Sequence, residues 1–156
     1  MTHCERPDMD EMLNMIREIY NALPFNKLLG LEVDRLGPEA AGFRFSMRED
    51  LIGNFVHGIL HGGVISAVLD ATGGMTATAS AVCKMEGLTL DEIAARVSKI
   101  GTIDMRVDYL RPGRGTEFFS SGTVLRTGRK LAVTRMELTN QDEMLIAAGT
   151  AAYLVG

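Results

Sequence analysis

Only two cysteines occur in the 156 residues, Cys4 and Cys83. Two thiols so far apart make neither a disulfide framework nor the paired spacing of a metal site, and both read as bystanders. No run of about 18 uninterrupted apolar residues is present, so no membrane insertion is expected. The opening MTHCERPDMDEM is acidic and polar where a secretion signal needs a basic stretch and then an apolar one, which points to a cytoplasmic protein. Positive charge is not in excess: 16 Lys and Arg against 20 Asp and Glu leave a formal −4. That balance excludes a whole-surface basic coat for nucleic acid or an anionic membrane. The patterns GxSxG, CxxC and HExxH are all missing, and no internal repeat, low-complexity tract or linker breaks the chain.

What is there suits one folded domain. A chain of this length buries roughly 68–70 % of its unfolded surface around a single core, and 46 % hydrophobic with 23 % charged residues is an ordinary globular balance. From Met9 to Leu23 the residues Met12, Met15, Ile16, Ile19 and Leu23 recur at helical spacing, and Pro24 is expected to end that amphipathic helix. Leu31–Leu36 and Phe43–Met47 alternate about a turn at Gly37-Pro38-Glu39 and predict a hairpin. Gly58 to Cys83 is small, apolar and Gly-rich without alternation, which predicts a buried central helix. Thr89 and Glu92 stand in capping-box spacing ahead of a short surface helix carrying Ile93, Val97 and Ile100.

From Thr102 the period is two, with Ile103, Met105, Val107 and Tyr109 on one face and Thr102, Asp104, Arg106 and Asp108 on the other. Turn signals at Arg111-Pro112-Gly113, Thr127-Gly128 and Asn140-Gln141-Asp142 divide the remainder into four strands. Helices and strands grouped in this way predict an α+β fold with an antiparallel sheet.

Between His61 and Lys84 the only carboxylate or basic side chain is Asp70, set in Val64-Ile65-Ser66-Ala67-Val68-Leu69-Asp70-Ala71. A buried unpaired carboxylate costs several kcal/mol, so something partners it or uses it; a cap on neighbouring backbone and a catalytic role both satisfy that requirement. The helix opens with His61-Gly62-Gly63, where glycine lets a ligand oxygen approach N–H groups that the helix leaves unpaired. Such donors can hold a developing oxyanion, and the same residues also serve a tight turn packed on a sheet. Asp70 lies about two turns, roughly 10–12 Å, beyond Gly62 and Gly63, too far to act on a carbonyl held at its own helix start. If both act on one carbon, they come from two chains of a symmetric dimer with antiparallel central helices.

Ordered pieces of the chain carry a resemblance. They are Pro24-Phe25-Asn26 with Leu29-Gly30-Leu31-Glu32-Val33, then Gly53-Asn54, then His61-Gly62-Gly63-Val64 with Asp70 nine residues after the histidine. Gly101–Gly113, Gly128-Arg129-Lys130 and the closing Ala151–Gly156 continue the series. In order and spacing this resembles the PaaI-type hotdog-fold acyl-CoA thioesterases, and more closely their YigI-like subgroup, over residues 24–156.

The resemblance implies a hotdog fold, a long central helix wrapped by an antiparallel sheet of about five to six strands. Residues 1–23 add an N-terminal helix and tail, and 24–156 form the thioesterase domain. It implies a homodimer or a dimer-of-dimers tetramer with acyl-CoA sites at the subunit interface, and no cofactor beyond the CoA of the substrate. Carried over by position, Gly62 donates its N–H to the thioester oxygen. Asp70 of the other subunit serves as nucleophile or general base, Thr102 positions the water or the carboxylate, and Asn54 lies near the thioester. His61 fixes the turn, and Gly63 adds to the substrate contact.

Asn54 precedes His61 by seven positions, one more than in better-known members, and the segment Met85 to Lys99 is longer than the usual connection. His57 reads as a loop histidine. A thioester has a reactive carbonyl and a good leaving group, so a carboxylate with an aimed oxyanion donor suffices without a triad or a metal.

Between Arg106 and Arg135 seven basic side chains face two acidic ones, a local +5 that leaves −9 for the rest. Arg111, Arg129 and Lys130 sit in its turns and are the expected contacts for CoA phosphates, with a solvated strand face as the alternative. The substrate reads as a medium- to long-chain or aryl-acyl thioester. The other readings are a non-catalytic acyl-CoA-binding hotdog protein and a hotdog dehydratase or hydratase. The second of these usually needs a histidine beside the carboxylate, and the helix supplies none beyond His61.

Overall fold

The computed structural model describes residues 8–156; Cys4 and the polar residues 1–7 lie outside the described residues. Helix α1, Met9–Ala22, is closed at its start by a reciprocal cap. Glu11 N–H donates to the Asp8 carboxylate at 2.7 Å and Asp8 N–H to Glu11 Oε2 at 3.3 Å, which satisfies two donors the helix leaves unpaired. Its Met12 and Ile16 are buried in the main core. Pro24 does not merely end this helix. It opens a second one, α2, Pro24–Leu29, because a proline at the first helical position gives up an N–H that has no helical partner there. The break falls on Leu23, whose φ −57° and ψ 126° match the extended geometry a following proline imposes.

Strands β1 (Glu32–Leu36) and β2 (Ala40–Ser46) form the expected hairpin. A two-stranded hairpin, β3 (Ile52–Asn54) and β4 (Ile59–Leu60), then leads into α3. Strands this short carry no readable period, so the sequence did not announce them. After α3 (Gly62–Val82) and α4 (Leu90–Val97) come β5 (Gly101–Tyr109), β6 (Glu117–Thr127), β7 (Leu131–Asn140) and β8 (Leu145–Leu154). The main sheet has six strands in the order β1-β2-β6-β7-β8-β5, every pairing antiparallel. It wraps α3, which touches β2, β5, β6, β7 and β8. This is the α+β architecture expected, with two N-terminal helices in place of one.

Helix α3 is buried almost all round, yet it holds three threonines in its second half. Each hydroxyl bonds back along the helix: Thr72 to Val68 O at 2.7 Å, Thr76 to Thr72 O at 2.8 Å and Thr78 to Gly74 O at 2.8 Å. Polar side chains are thereby satisfied inside an apolar layer. At its C-terminal end burial pushes the Cys83 thiol up, which holds it in the poorly reactive neutral form.

Helix α4 starts with the expected box: Thr89 N–H donates to Glu92 Oε2 at 2.8 Å, and Glu92 N–H donates to Thr89 Oγ1 at 3.3 Å. The Thr89 backbone N–H and then its hydroxyl hold the Glu92 carboxyl below the usual carboxylate range. Ile93 is buried and pins this surface helix down.

Strand β5 corrects the two-face reading. Its register slips between Thr102 and Asp104, where Ile103 has no partner on β8. One extra residue reverses the alternation, so Ile103 is exposed and Thr102 turns with Met105 and Val107 toward α3.

Candidate active site

Asp70 is the only ionisable side chain α3 carries before Cys83, and it sits half-buried at the rim of a cavity of about 370 Å³. Two adjacent strands reach it through one cross-strand pair, Thr102 of β5 and Tyr153 of β8. Thr102 Oγ1, turned inward by the β5 bulge, donates to Asp70 Oδ1 at 2.8 Å. Tyr153 Oη, from the end of β8, lies 3.0 Å from Asp70 O and 3.2 Å from the same Oδ1.

The cavity wall is otherwise apolar or neutral, with Leu23, Pro24 and Phe25 from the α1–α2 elbow, Ala67, Ala71 and Gly74 from α3, and Ile100 ahead of β5. Tyr20 also lines it and shares a hydrogen bond of 2.9 Å with Thr78 Oγ1. Burial, with a smaller push from the Asp70 charge, raises the Tyr20 phenol to about 12. The Tyr153 phenol is raised further by burial, then by the Asp70 charge and their hydrogen bond.

The other candidate group lies at the start of α3. His61 is its N-cap and accepts Gly63 N–H at Nδ1 over 2.8 Å. A β-carbon at Gly63 would come within 2.9 Å of that nitrogen, which is why glycine stands there. The Gly63 donor is therefore spent on the cap. Among the described residues Gly62 N–H has no acceptor, while Gly62 O accepts from Tyr109 Oη at 3.1 Å. Gly62 thus offers one unpaired donor at the positive end of a 21-residue helix. It faces a different hollow from Asp70, lined by Ile59, Leu60, Ile65, Tyr109 and Arg111.

Of the remaining expected residues only Arg111 lies beside one of these groups, in the Gly62 hollow. Asn54 turns its side chain onto its own loop, accepting Val56 N–H at 3.1 Å and His57 N–H at 3.3 Å. Arg111 donates to Leu145 O at 2.9 Å. Arg129 lines a separate hollow with Ala81 and Lys84, beside the last turn of α3 and so about 28 Å along the helix from Gly62. Lys130 follows it in the same β6–β7 turn, where its carbonyl accepts Val155 N–H at 2.8 Å. The sequence assigns no role to Tyr20, which lies outside the matching pieces, or to Tyr153, which stands within the closing Ala151–Gly156 but 83 positions from Asp70. The available signal was a single aromatic in an otherwise small and aliphatic strand.

A family model for the thioesterase superfamily matches residues 57–147. The chain belongs to this superfamily.

The medium/long-chain acyl-CoA thioesterase YigI of Salmonella typhimurium is 43 % identical over 148 residues, 94 % of this chain and 96 % of that protein. YigI of Escherichia coli K12 is 42 % identical over the same shares. A Shewanella oneidensis crystal structure, described as related to the thioesterase superfamily, superposes with a TM-score of 0.91 at 44 % identity, covering 97 % of this chain and 100 % of that one. The six-stranded sheet around α3 is the hotdog fold of these thioesterases. The family match starts after α1, α2, β1 and β2, yet Tyr20, Leu23, Pro24, Phe25 and Asn26 build one wall of the Asp70 cavity.

Proposed function

We propose that this thioesterase hydrolyses medium- to long-chain acyl-CoA to the free acid and CoA, with each of two sites assembled from both subunits of a homodimer. The observation that carries this reading is Asp70, fixed by Thr102 at the rim of an apolar cavity and set on the helix whose Gly62 N–H is unpaired. An alkyl chain suits a wall of Leu23, Phe25, Ala67, Ala71 and Ile100. The names of the two similar YigI proteins support the same acyl class.

The thioester carbonyl oxygen takes the Gly62 N–H of one subunit while Asp70 of the other works on the carbonyl carbon. As general base, Asp70 removes a proton from water, the water oxygen bonds to that carbon, the C–S bond breaks, and the proton ends on the CoA thiol. As nucleophile, its oxygen forms a mixed anhydride with loss of CoA, and water then opens the anhydride. In either route negative charge develops on the carbonyl oxygen, which the N–H and the helix end stabilise. Subunit pairing has a surface ready for it. The outer edge of β5 is unpaired in the single chain, Ile103, Tyr109 and Leu110 are half-exposed there, and Phe55 at the β3–β4 tip is 90 % exposed.

The test is thiol release across a series of acyl-CoA chain lengths with the native chain and Asp70→Asn. The expected result is turnover that favours medium and long chains and a loss of at least about 100-fold in kcat for the variant. Near-native turnover by Asp70→Asn removes the catalytic assignment.

A further inference from the structure

The two carboxylate oxygens of Asp70 are not equivalent. Oδ1 is in reach of two hydroxyl donors, Thr102 at 2.8 Å and Tyr153 at 3.2 Å, while Oδ2 has no partner among the described residues. Tyr153 is 1 % exposed and comes from β8, a different strand from Thr102. Its hydroxyl is within reach of both Asp70 O, at 3.0 Å, and Asp70 Oδ1, at 3.2 Å, so it bridges the Asp70 side chain and backbone and limits rotation of the carboxylate.

Room for this contact is built into α3. A β-carbon at Gly73 would collide with Tyr153 Oη and would lie 2.9 Å from both Met136 Sδ and Thr134 Oγ1. Glycine in a helix interior costs about 1 kcal/mol relative to alanine, and here its missing side chain is the space the phenol occupies.

We propose that Tyr153 is a positioning residue for the hydrolysis: together with Thr102 it holds Oδ1 of Asp70 and leaves Oδ2 as the oxygen that meets water or the thioester carbon. The proposal rests on the reading of Asp70 as the catalytic carboxylate. A phenol this deeply buried stays protonated through the working range, so it remains a donor and never a competing base. The titratable groups that face Asp70 are Tyr20 from α1 and Tyr153 from β8. The cavity lining from α2, α3 and the start of β5 brings no further charge. A donor aimed at a carboxylate favours its charged form, and one that also fixes its angle keeps the reacting oxygen on line.

Steady-state kinetics of Tyr153→Phe against pH test this, with Ser120→Ala as the control for loss of a buried hydroxyl outside the site. Expected for Tyr153→Phe is a fall in kcat on the order of 10- to 100-fold. KM should stay within about twofold, because little substrate binding is removed, and the acidic limb of the kcat profile should move to higher pH. Ser120→Ala lowers thermal stability and leaves that limb in place.

Replacing Tyr153 by 3-fluorotyrosine keeps the hydroxyl and the packing while strengthening the donor, so the limb should move to lower pH. A folded Tyr153→Phe with native kcat and an unmoved limb overturns the proposal. If that variant does not fold, an unmoved limb in the fluorotyrosine protein does the same. Full activity in Asp70→Asn would instead remove the underlying reading, an outcome read in a separate variant.

Discussion

Tyr20 and Tyr153 are neutral phenols held in a cavity whose one charge is Asp70, and this makes stability sensitive to alkali. Burial is the larger cause of both upward shifts, with Tyr20 raised to about 12 and Tyr153 further. A folded-state value above the unfolded value of about 10 means that the stabilisation is complete below about pH 10. It is lost as pH climbs from there toward the folded value, because the unfolded chain can ionise where the folded one resists. Thermal unfolding should therefore give a level Tm up to about pH 10 and a decline above it, and Tyr153→Phe should flatten the decline. A variant that declines as steeply as the native chain would show that other groups dominate. These phenols also mark what the sequence hid. Asp70 and His61-Gly62-Gly63 were legible because a lone charge in an apolar run and a doubled glycine are local anomalies. Tyr153 carries only the weak signal of a lone aromatic in its strand, and its closeness to Asp70 is created by pairing of β8 with β5 and packing on α3.

Helical period makes α1 readable, a capping box α4, and a long apolar run without alternation α3, while elements set by a single residue are not. Pro24 was read as a stop and starts α2. The bulge at Ile103 brings Thr102 onto the face of Met105 and Val107, toward Asp70, whereas strict alternation places it on the opposite face. Within the segment Met85 to Lys99, Ile93 pins α4 to the core, and no residue of the segment lines the cavity, whose wall is reached instead by Ile100 just beyond it. The α1–α2 elbow and α3 together bound the cavity in which the proposed acyl chain would sit, and Gly74 is the place to change its room. A β-carbon there would make ordinary contacts of 3.5 Å with Tyr153 Cε1 and Tyr20 Oη. Gly74→Ala should therefore raise stability by about 1 kcal/mol through helix propensity. It should also take space from the cavity and shift the chain-length preference downward by about one methylene, roughly fourfold in kcat/KM for the longest substrate used. Calorimetry and a chain-length series check the two effects; a stabilised variant with unchanged preference would place the acyl chain elsewhere.

In a single chain Gly62 and Asp70 face different hollows, about 12 Å apart along one helix, and in the proposed mechanism the complete site is a property of the pair. Charge is divided in the same manner: Arg111 lies by the Gly62 hollow and Arg129 beside the far end of α3, so the +5 segment is not one phosphate cradle within a protomer. A clean variant exists for the donor. Gly62 is the first residue of α3, where proline is tolerated, and His61 already has φ −63° and ψ 136°, the geometry required before proline. Gly62→Pro should thus delete one N–H, keep the fold, and cost on the order of 100-fold in kcat. Mixed with Asp70→Asn and allowed to exchange subunits, it should recover activity. Each mixed dimer has one site carrying both defects and one carrying neither, so an equal mixture of dimers should regain about a quarter of native turnover. If Gly62 and Asp70 worked within one chain, every site in that mixture would hold one defect. Proven exchange would then restore nothing.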